Sequence, residues 1–362
     1  MILAVCTDAA NCSSRVRCAI LSAAMDASAT EQHGADLSGA ETAERLVREI
    51  SRIIRGKDDF LRRFVTCLIA GGHVLIEDVP GLGKTTVAKT LARLVASGNP
   101  GPVPEVIGVP FRRIQFTPDL LPYDITGVDI YDPDSRRFIF QPGPVFASIV
   151  LADEINRSTP KVQSALLEVM AEHQVTVGNA THHMDELFFV MATQNPLELE
   201  GTYPLPLAQL DRFLMRLALG YPDFETEFAI LRDDPSHTEM PQVHPICRKA
   251  DVLRARSEAA QVHCDDRLIR AVAGISRRSR EDEAVAYGVS PRGGLMLIAA
   301  CRAYALCNGR DYVVDEDIRA LSVEVLAHRL RMRDPRADAA ELIESYTRAE
   351  LEQVPHRVAR HA

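Results

Sequence analysis

Residues 73–87 read His73-Val74-Leu75-Ile76-Glu77-Asp78-Val79-Pro80-Gly81-Leu82-Gly83-Lys84-Thr85-Thr86-Val87, and the fold turns on this stretch. His73 to Ile76 has the length and apolar character of a short buried strand, and Val87, Leu91 and Leu94 repeat at helical spacing. A glycine-rich turn joins the two, which is the setting a phosphate-binding loop requires. Glycines let the chain turn so that successive N–H groups converge on phosphate oxygens. The helix N-terminus adds its positive end, Lys84 supplies a cation for the β- and γ-phosphates, and the Thr85 hydroxyl is placed to bind Mg²⁺. The nucleotide-binding set is therefore Asp78, Val79, Pro80, Gly81, Leu82, Gly83, Lys84, Thr85 and Thr86. The usual pattern begins with Gly where this chain has Asp78, but Gly81, Gly83, Lys84 and Thr85 carry the chemistry.

Four more short apolar runs lie downstream, at Phe111–Phe116, Ile149–Ala152, Phe188–Ala192 and Phe213–Leu219. Helical or loop material separates them, and that alternation predicts a parallel sheet with helices on both faces. The run at Ile149 ends in Asp153-Glu154. Carboxylates at the C-terminal end of a parallel strand face the ligand crevice. Asp153 can hold the metal through its water shell, and Glu154 can polarise an attacking water. Thr193-Gln194-Asn195-Pro196 ends another strand; Asn195 fits a bond to the same water or to the γ-phosphate, and equally a turn built by Asn-Pro.

Two segments leave the layers. Gly127–Tyr131 and Arg137–Phe140 alternate across Pro133-Asp134, and Gln174–Val177 and His182–Met184 flank Gly178-Asn179; both read as β-hairpins. Upstream, Leu46, Ile50, Ile53 and Ile54 form one helical stripe ended by Gly56. Phe60, Leu61, Phe64, Val65 and Leu68 form a second, with Asp58 or Asp59 as its cap. After Pro222 helical stripes dominate: Leu268, Val272 and Ile275; Leu295, Ile298, Ala299 and Ala305; Ile318, Leu321, Val325 and Leu326. The domains expected are an N-terminal extension over residues 1–40 without order, an α/β nucleotide-binding domain over 41–222, and a helical domain over 223–362.

Of 362 residues, 46% are hydrophobic and 25% charged, the balance of an ordinary globular protein. The longest apolar run, Phe64 to Ile76, is interrupted by Thr66, Gly71, Gly72 and His73, so no membrane-spanning helix is expected. A net charge of −9 argues against a constitutive nucleic-acid coat. None of the eight cysteines forms a CxxC pair; Cys67, Cys301 and Cys307 read as small buried hydrophobes, and Cys6, Cys12 and Cys18 have no supporting partners. His182-His183 lacks a third ligand. The basic run Arg267, Arg270, Arg277, Arg278 and Arg280 reads as a solvated face, because no aromatic stacking residues accompany it.

Taken in order, these pieces resemble the MoxR-type AAA+ ATPases. The matching stretches are GGHVLIEDVPGLGKTTVAKTLA, LLPYDITGVDIYD, IVLADEINRSTPKVQSALLEVMAEHQVTVG, ATQNPLELEGTYPLPLAQLDRFLM and VSPRGGLMLIAACRAYAL. The likeness spans about residues 45–355. It implies an α/β P-loop AAA+ core, with a parallel five-stranded sheet flanked by helices, followed by a smaller all-helical lid. It implies an arginine-finger role for Arg212, reaching a neighbouring subunit's γ-phosphate; read alone, Arg212 fits a helix-end salt bridge equally well. Arg292 matches the sensor 2 arginine, although after Pro291 it also fits an ordinary first helical turn. Asp119–Val145 matches the helix-2 insert, Gln174–Met184 the pre-sensor-1 insert, and Ile54 and Gly56 fall where such proteins touch adenine. Arg157 fits either an approach to an adjoining subunit or a surface salt bridge.

The implied function is a Mg²⁺-dependent ATP hydrolase, a cytoplasmic ring-forming chaperone-like machine, expected as a hexamer, with ATP at each boundary. Its implied partners are proteins with von Willebrand factor A domains and a client. Two rivals remain. A DNA translocase would use a hairpin rich in Lys or Arg, and Gln174–Met184 contains neither. A scaffold that binds ATP without turning it over has no need for Glu154.

Overall fold

The computed structural model describes residues 37–97, 108–196 and 201–354. Cys6, Cys12, Cys18 and nearly all of the expected N-terminal extension lie outside the described residues. Five strands form the central sheet: β1 (Val74–Glu77), β2 (Phe111–Gln115), β3 (Ile149–Asp153), β4 (Phe189–Gln194) and β5 (Met215–Leu217). Their spatial order is β5-β1-β4-β3-β2 and every pairing is parallel. The three inner strands are buried almost throughout, which is why they read as continuous apolar runs rather than alternating ones. On the edge strand β2, only Ile114 is buried, and Arg112, Arg113 and Gln115 are exposed.

Register then aligns the strand ends. Glu77 pairs with Gln194, Ala152 with Ala192, and Gln115 with Asp153. Chemistry placed just beyond β1, β3, β4 and β2 therefore converges along one sheet edge. Beneath it, Val150, Val190, Val162, Leu166, Phe188 and Phe213 belong to one buried cluster that joins the sheet to the helix Pro160–Glu172.

Helices flank this sheet and build the lid that follows it. We label them α1 (Gly39–Ile53), α2 (Asp58–Ile69), α3 (Lys84–Leu94), α4 (Pro160–Glu172), α5 (Phe224–Asp233), α6 (Lys249–Gln261), α7 (Asp266–Glu281), α8 (Pro291–Cys307), α9 (Asp315–Leu326) and α10 (Ala339–Leu351). Ser38 and Glu41 form a capping box at the start of α1. The expected cap of α2 is displaced: Lys57 occupies the cap position without a side-chain bond, and Asp58 is already the first helical residue. There its charge still favours the positive helix end. α1 and α2 also pack on α6 and α8 of the lid, with Gly39 N–H donating to Glu258 Oε2 at 2.7 Å and Arg63 paired to Glu324 at 3.2 Å.

Both hairpins form, as Gly127–Asp132 with Arg137–Pro142 and Gln174–Val177 with Ala180–His183. Gly127, at φ 92°, is pressed so closely that a Cβ would lie 2.4 Å from the Gln141 carbonyl oxygen. The lid is helical but for short strands. Val285–Tyr287 pairs antiparallel with Arg331–Met332, and Cys247–Arg248 pairs with Val95–Ala96 of the core. One expected stripe is only partly right: Ala305 is buried and Ile298 half-buried, but Leu295 is 69% exposed and Ala299 is exposed, whereas Gly293, Gly294, Leu297, Ala300 and Cys301 are buried. α8 is apolar around most of its circumference, and its solvent face is marked only by Arg292 and Arg302, which share one side with Leu295 and Ala299.

Candidate functional site

The turn after β1 takes its shape from two left-handed glycines, Gly81 at φ 89° and Gly83 at φ 88°. At Gly81 a Cβ would meet nothing within 4 Å, so backbone conformation rather than space demands glycine there. Gly83 caps α3, and the helix begins at Lys84, Thr85 and Thr86. Its first N–H groups therefore open toward the loop formed by Val79, Pro80, Gly81 and Leu82. Lys84 Nζ donates to the carbonyls of Asp78 at 2.8 Å and Val79 at 3.2 Å. Partial burial lowers its pKa, against the opposing pull of Asp78, Asp153 and Glu154.

Asp78 does something the sequence pattern did not suggest. Its carboxylate accepts the N–H of Leu219 and, at 3.0 Å, that of Gly220. Its backbone N–H reaches the Gln194 carbonyl at 3.2 Å. The side chain thus ties the start of the loop to the chain leaving β5, and only its main chain faces Lys84.

Asp153 ends β3. Thr193 Oγ1 donates to its Oδ1 at 2.6 Å, and Arg113 reaches its Oδ2 from β2 at 2.6 Å and 3.0 Å. Glu154 follows in a left-handed conformation, φ 57°, rare for a residue with a side chain. Its N–H donates to the same Thr193 Oγ1 at 2.9 Å. One hydroxyl therefore locks both acidic residues. The Glu154 carboxylate receives Gln115 Nε2 at 2.7 Å and lies 3.3 Å from Arg157 Nε. Asn195 is buried just past β4, beside Gln194, whose Nε2 reaches Glu77 Oε1 at 2.5 Å.

Around the loop, Ile54 Cδ1 comes within 3.7 Å of a Cβ built on Gly83, and Gly56 packs on Thr226 of α5. Arg292 stands exposed in the first turn of α8. Arg212 is elsewhere. It precedes β5, whose strand runs parallel to β1 with Met215 opposite Val74, so it lies at the sheet edge opposite the loop. Its guanidinium donates to the Leu167 carbonyl. The His182 ring stacks on Phe140 at 3.8 Å, and no group of three His, Cys, Asp or Glu side chains gathers among the described residues.

These residues fit a nucleoside triphosphate with a divalent cation. The glycine turn, the open helix end and Lys84 suit phosphate oxygens, and the hard oxygens of Thr85 and Asp153 suit magnesium. Sequence reasoning missed Gln115, Arg113 and the bridging role of Thr193. The strand-end rule would have flagged Gln115, which is level with Asp153.

The chain is similar to known proteins. Residues 73–215 match the ATPase family associated with various cellular activities (AAA), and residues 277–349 match the AAA lid domain. The protein YeaC of Bacillus subtilis is 46% identical over 288 residues, 80% of this chain and 86% of its own length. Chaperone MoxR1 of Mycobacterium tuberculosis is 43% identical over 319 residues, covering 84% and 81% respectively. A crystal structure of a Cytophaga hutchinsonii protein superposes with a TM-score of 0.77 at 37% identity, over 90% of this chain and 98% of that one. No helix among the described residues is long and apolar enough to cross a membrane.

Proposed function

Because this chain belongs to the MoxR-type AAA+ ATPases, we propose that it hydrolyses ATP with Mg²⁺ as a ring of identical subunits and uses the energy to remodel partner proteins. The observation that carries this reading is the division of charge between the two sheet edges. Lys84, Thr85, Asp153, Glu154 and Asn195 gather at one, and Arg212 lies at the other. A chain arranged so does not bring Arg212 to its own loop, which supports a site completed by a second copy.

In this reading the N–H groups from Gly81 to Thr86 and the Lys84 ammonium hold the phosphates. Thr85 and Asp153 hold Mg²⁺, which supplies positive charge where the phosphate oxygens carry most negative charge. Glu154 accepts a proton from the attacking water, and Asn195 orients that water. Arg212 of one copy stabilises the charge that builds on the γ-phosphate in the next, an effect worth roughly 10³–10⁵ in rate. Ile54 and Gly56 border the base, and Arg292 couples the lid to the phosphates. The protein would act in the cytoplasm, as a hexamer, on a client delivered with proteins carrying von Willebrand factor A domains. The absence of Lys and Arg from residues 174–184 favours a protein client over DNA.

Turnover by the wild type and by Glu154→Gln tests the reading. The variant should bind ATP and lose nearly all hydrolysis. Equal rates would remove Glu154 as the base and restore the scaffold alternative, while strong stimulation by DNA would favour the translocase.

A further inference from the structure

Arg329, just after α9, is 3% exposed and points its guanidinium at the segment that carries Arg212. Its Nε donates to Asp211 Oδ1 at 2.9 Å. Nη2 donates to the carbonyls of Phe213 at 2.6 Å and Asp211 at 3.3 Å, and Nη1 to that of Leu214 at 3.4 Å. The bonds bracket residue 212 on both sides. Neighbouring His328 adds a contact from Nε2 to the Phe213 carbonyl at 3.2 Å.

The same guanidinium belongs to the lid. It donates to the Val325 carbonyl of α9, and Met296 of α8 lies against it. In the first turn of α8, a Cβ on Gly293 would come within 3.0 Å of Arg329 Cδ. Gly293 directly follows Arg292. A buried charge of this kind is a costly way to fill space, since hydrophobic side chains of similar volume often serve stability as well or better. What a planar five-donor group adds is orientation of the acceptors around it.

We propose that Arg329 is a positioning residue that couples the lid to Arg212. Movement of α8 at its Arg292 end passes through Arg329 into residues 211–214 and sets the reach of the arginine offered to the neighbouring copy. A chain's own nucleotide site thereby adjusts the site next door. This rests on the reading, proposed above, that Arg212 acts across a subunit boundary.

Mixing experiments test it. Arg329→Lys keeps the charge but loses the fork, and Asp211→Asn leaves the fork without its carboxylate; the second serves if the first does not fold. Each should bind ATP as the wild type does and lose turnover by about 10²-fold, the order expected for a displacement near 1 Å. Each should regain activity when mixed with Glu154→Gln, which has a sound Arg212 segment to lend, and should gain none when mixed with Arg212→Ala. The control pair Arg212→Ala with Glu154→Gln should recover. If the control fails, shared sites are wrong and the proposal falls with them. If the control recovers but Asp211→Asn is rescued by Arg212→Ala instead, or keeps full turnover, the role of Arg329 alone is overturned. A purely structural defect would lower thermal stability without sorting the variants into the Arg212 group.

Discussion

Gln115 Nε2 donates to Glu154 Oε2 at 2.7 Å, from the edge strand β2 to the residue after β3. The register that sets Gln115 opposite Asp153 makes this reach possible. With Thr193 fixing the Glu154 backbone, the amide sets the direction of the carboxylate. Gln115→Ala should therefore lower turnover by about tenfold, since a base must be held in line to work, while ATP affinity stays within about twofold. Steady-state hydrolysis and fluorescent-nucleotide binding, measured together, check both halves.

Arg113 pairs with Asp153. Its guanidinium lies 2.6 Å from Oδ2 with about half its side chain exposed, and exposed pairs of this kind are worth about 0.2–1 kcal/mol. Arg113→Ala should free Asp153 for the metal and lower the Mg²⁺ concentration needed for half-maximal nucleotide binding, by up to about fivefold. A magnesium titration that does not move would remove Arg113 from the metal's surroundings.

Asp78 takes the place of a glycine, and its carboxylate satisfies two main-chain donors beyond β5. Asp78→Ala strands both, at a cost of about 1–3 kcal/mol for the buried Leu219 N–H, and less for the half-buried Gly220 N–H. Denaturant unfolding should show that loss. Lys84→Ala, by contrast, should abolish ATP affinity with little change in stability.

How much of this could be read from the chain alone follows from how the residues come together. The loop from Asp78 to Thr86 and the pair Asp153-Glu154 are contiguous, so their chemistry was legible along with the strand that positions each. Gln115, Arg113 and Arg329 act through residues 39, 40 and 118 positions away, and only sheet order and register bring them to their partners. The inward face of α8 was missed for another reason. Only Arg292 and Arg302 mark its solvent face, at helical spacing with the exposed Leu295 and Ala299, and the rest of the ring is largely apolar.

Acid should weaken the fold through His73. Its Nδ1 accepts the Val190 N–H at 3.0 Å and its Nε2 lies 3.3 Å from the Met170 carbonyl. Burial, then the nearby His173, push its pKa down to about 3 from the ordinary 6.5, against the bond to Met170. Buried His328 shifts in the same direction. Because the unfolded chain takes up the proton first, this contribution is complete above pH 6.5 and is lost as pH falls toward 3. Each such histidine adds a slope of up to about 1.4 kcal/mol per pH unit. Unfolding free energies between pH 7 and 5 should fall less steeply for His73→Gln than for the wild type.

The central claim is that ATP is cut only where two copies meet. Hydrolysis per chain, followed down a dilution series with sedimentation on the same samples, tests it most directly. The rate should fall in step with the loss of assembled rings, and Arg212→Ala should bind ATP at every concentration without turning it over. A lone chain that hydrolyses ATP at the undiluted rate would contradict the account.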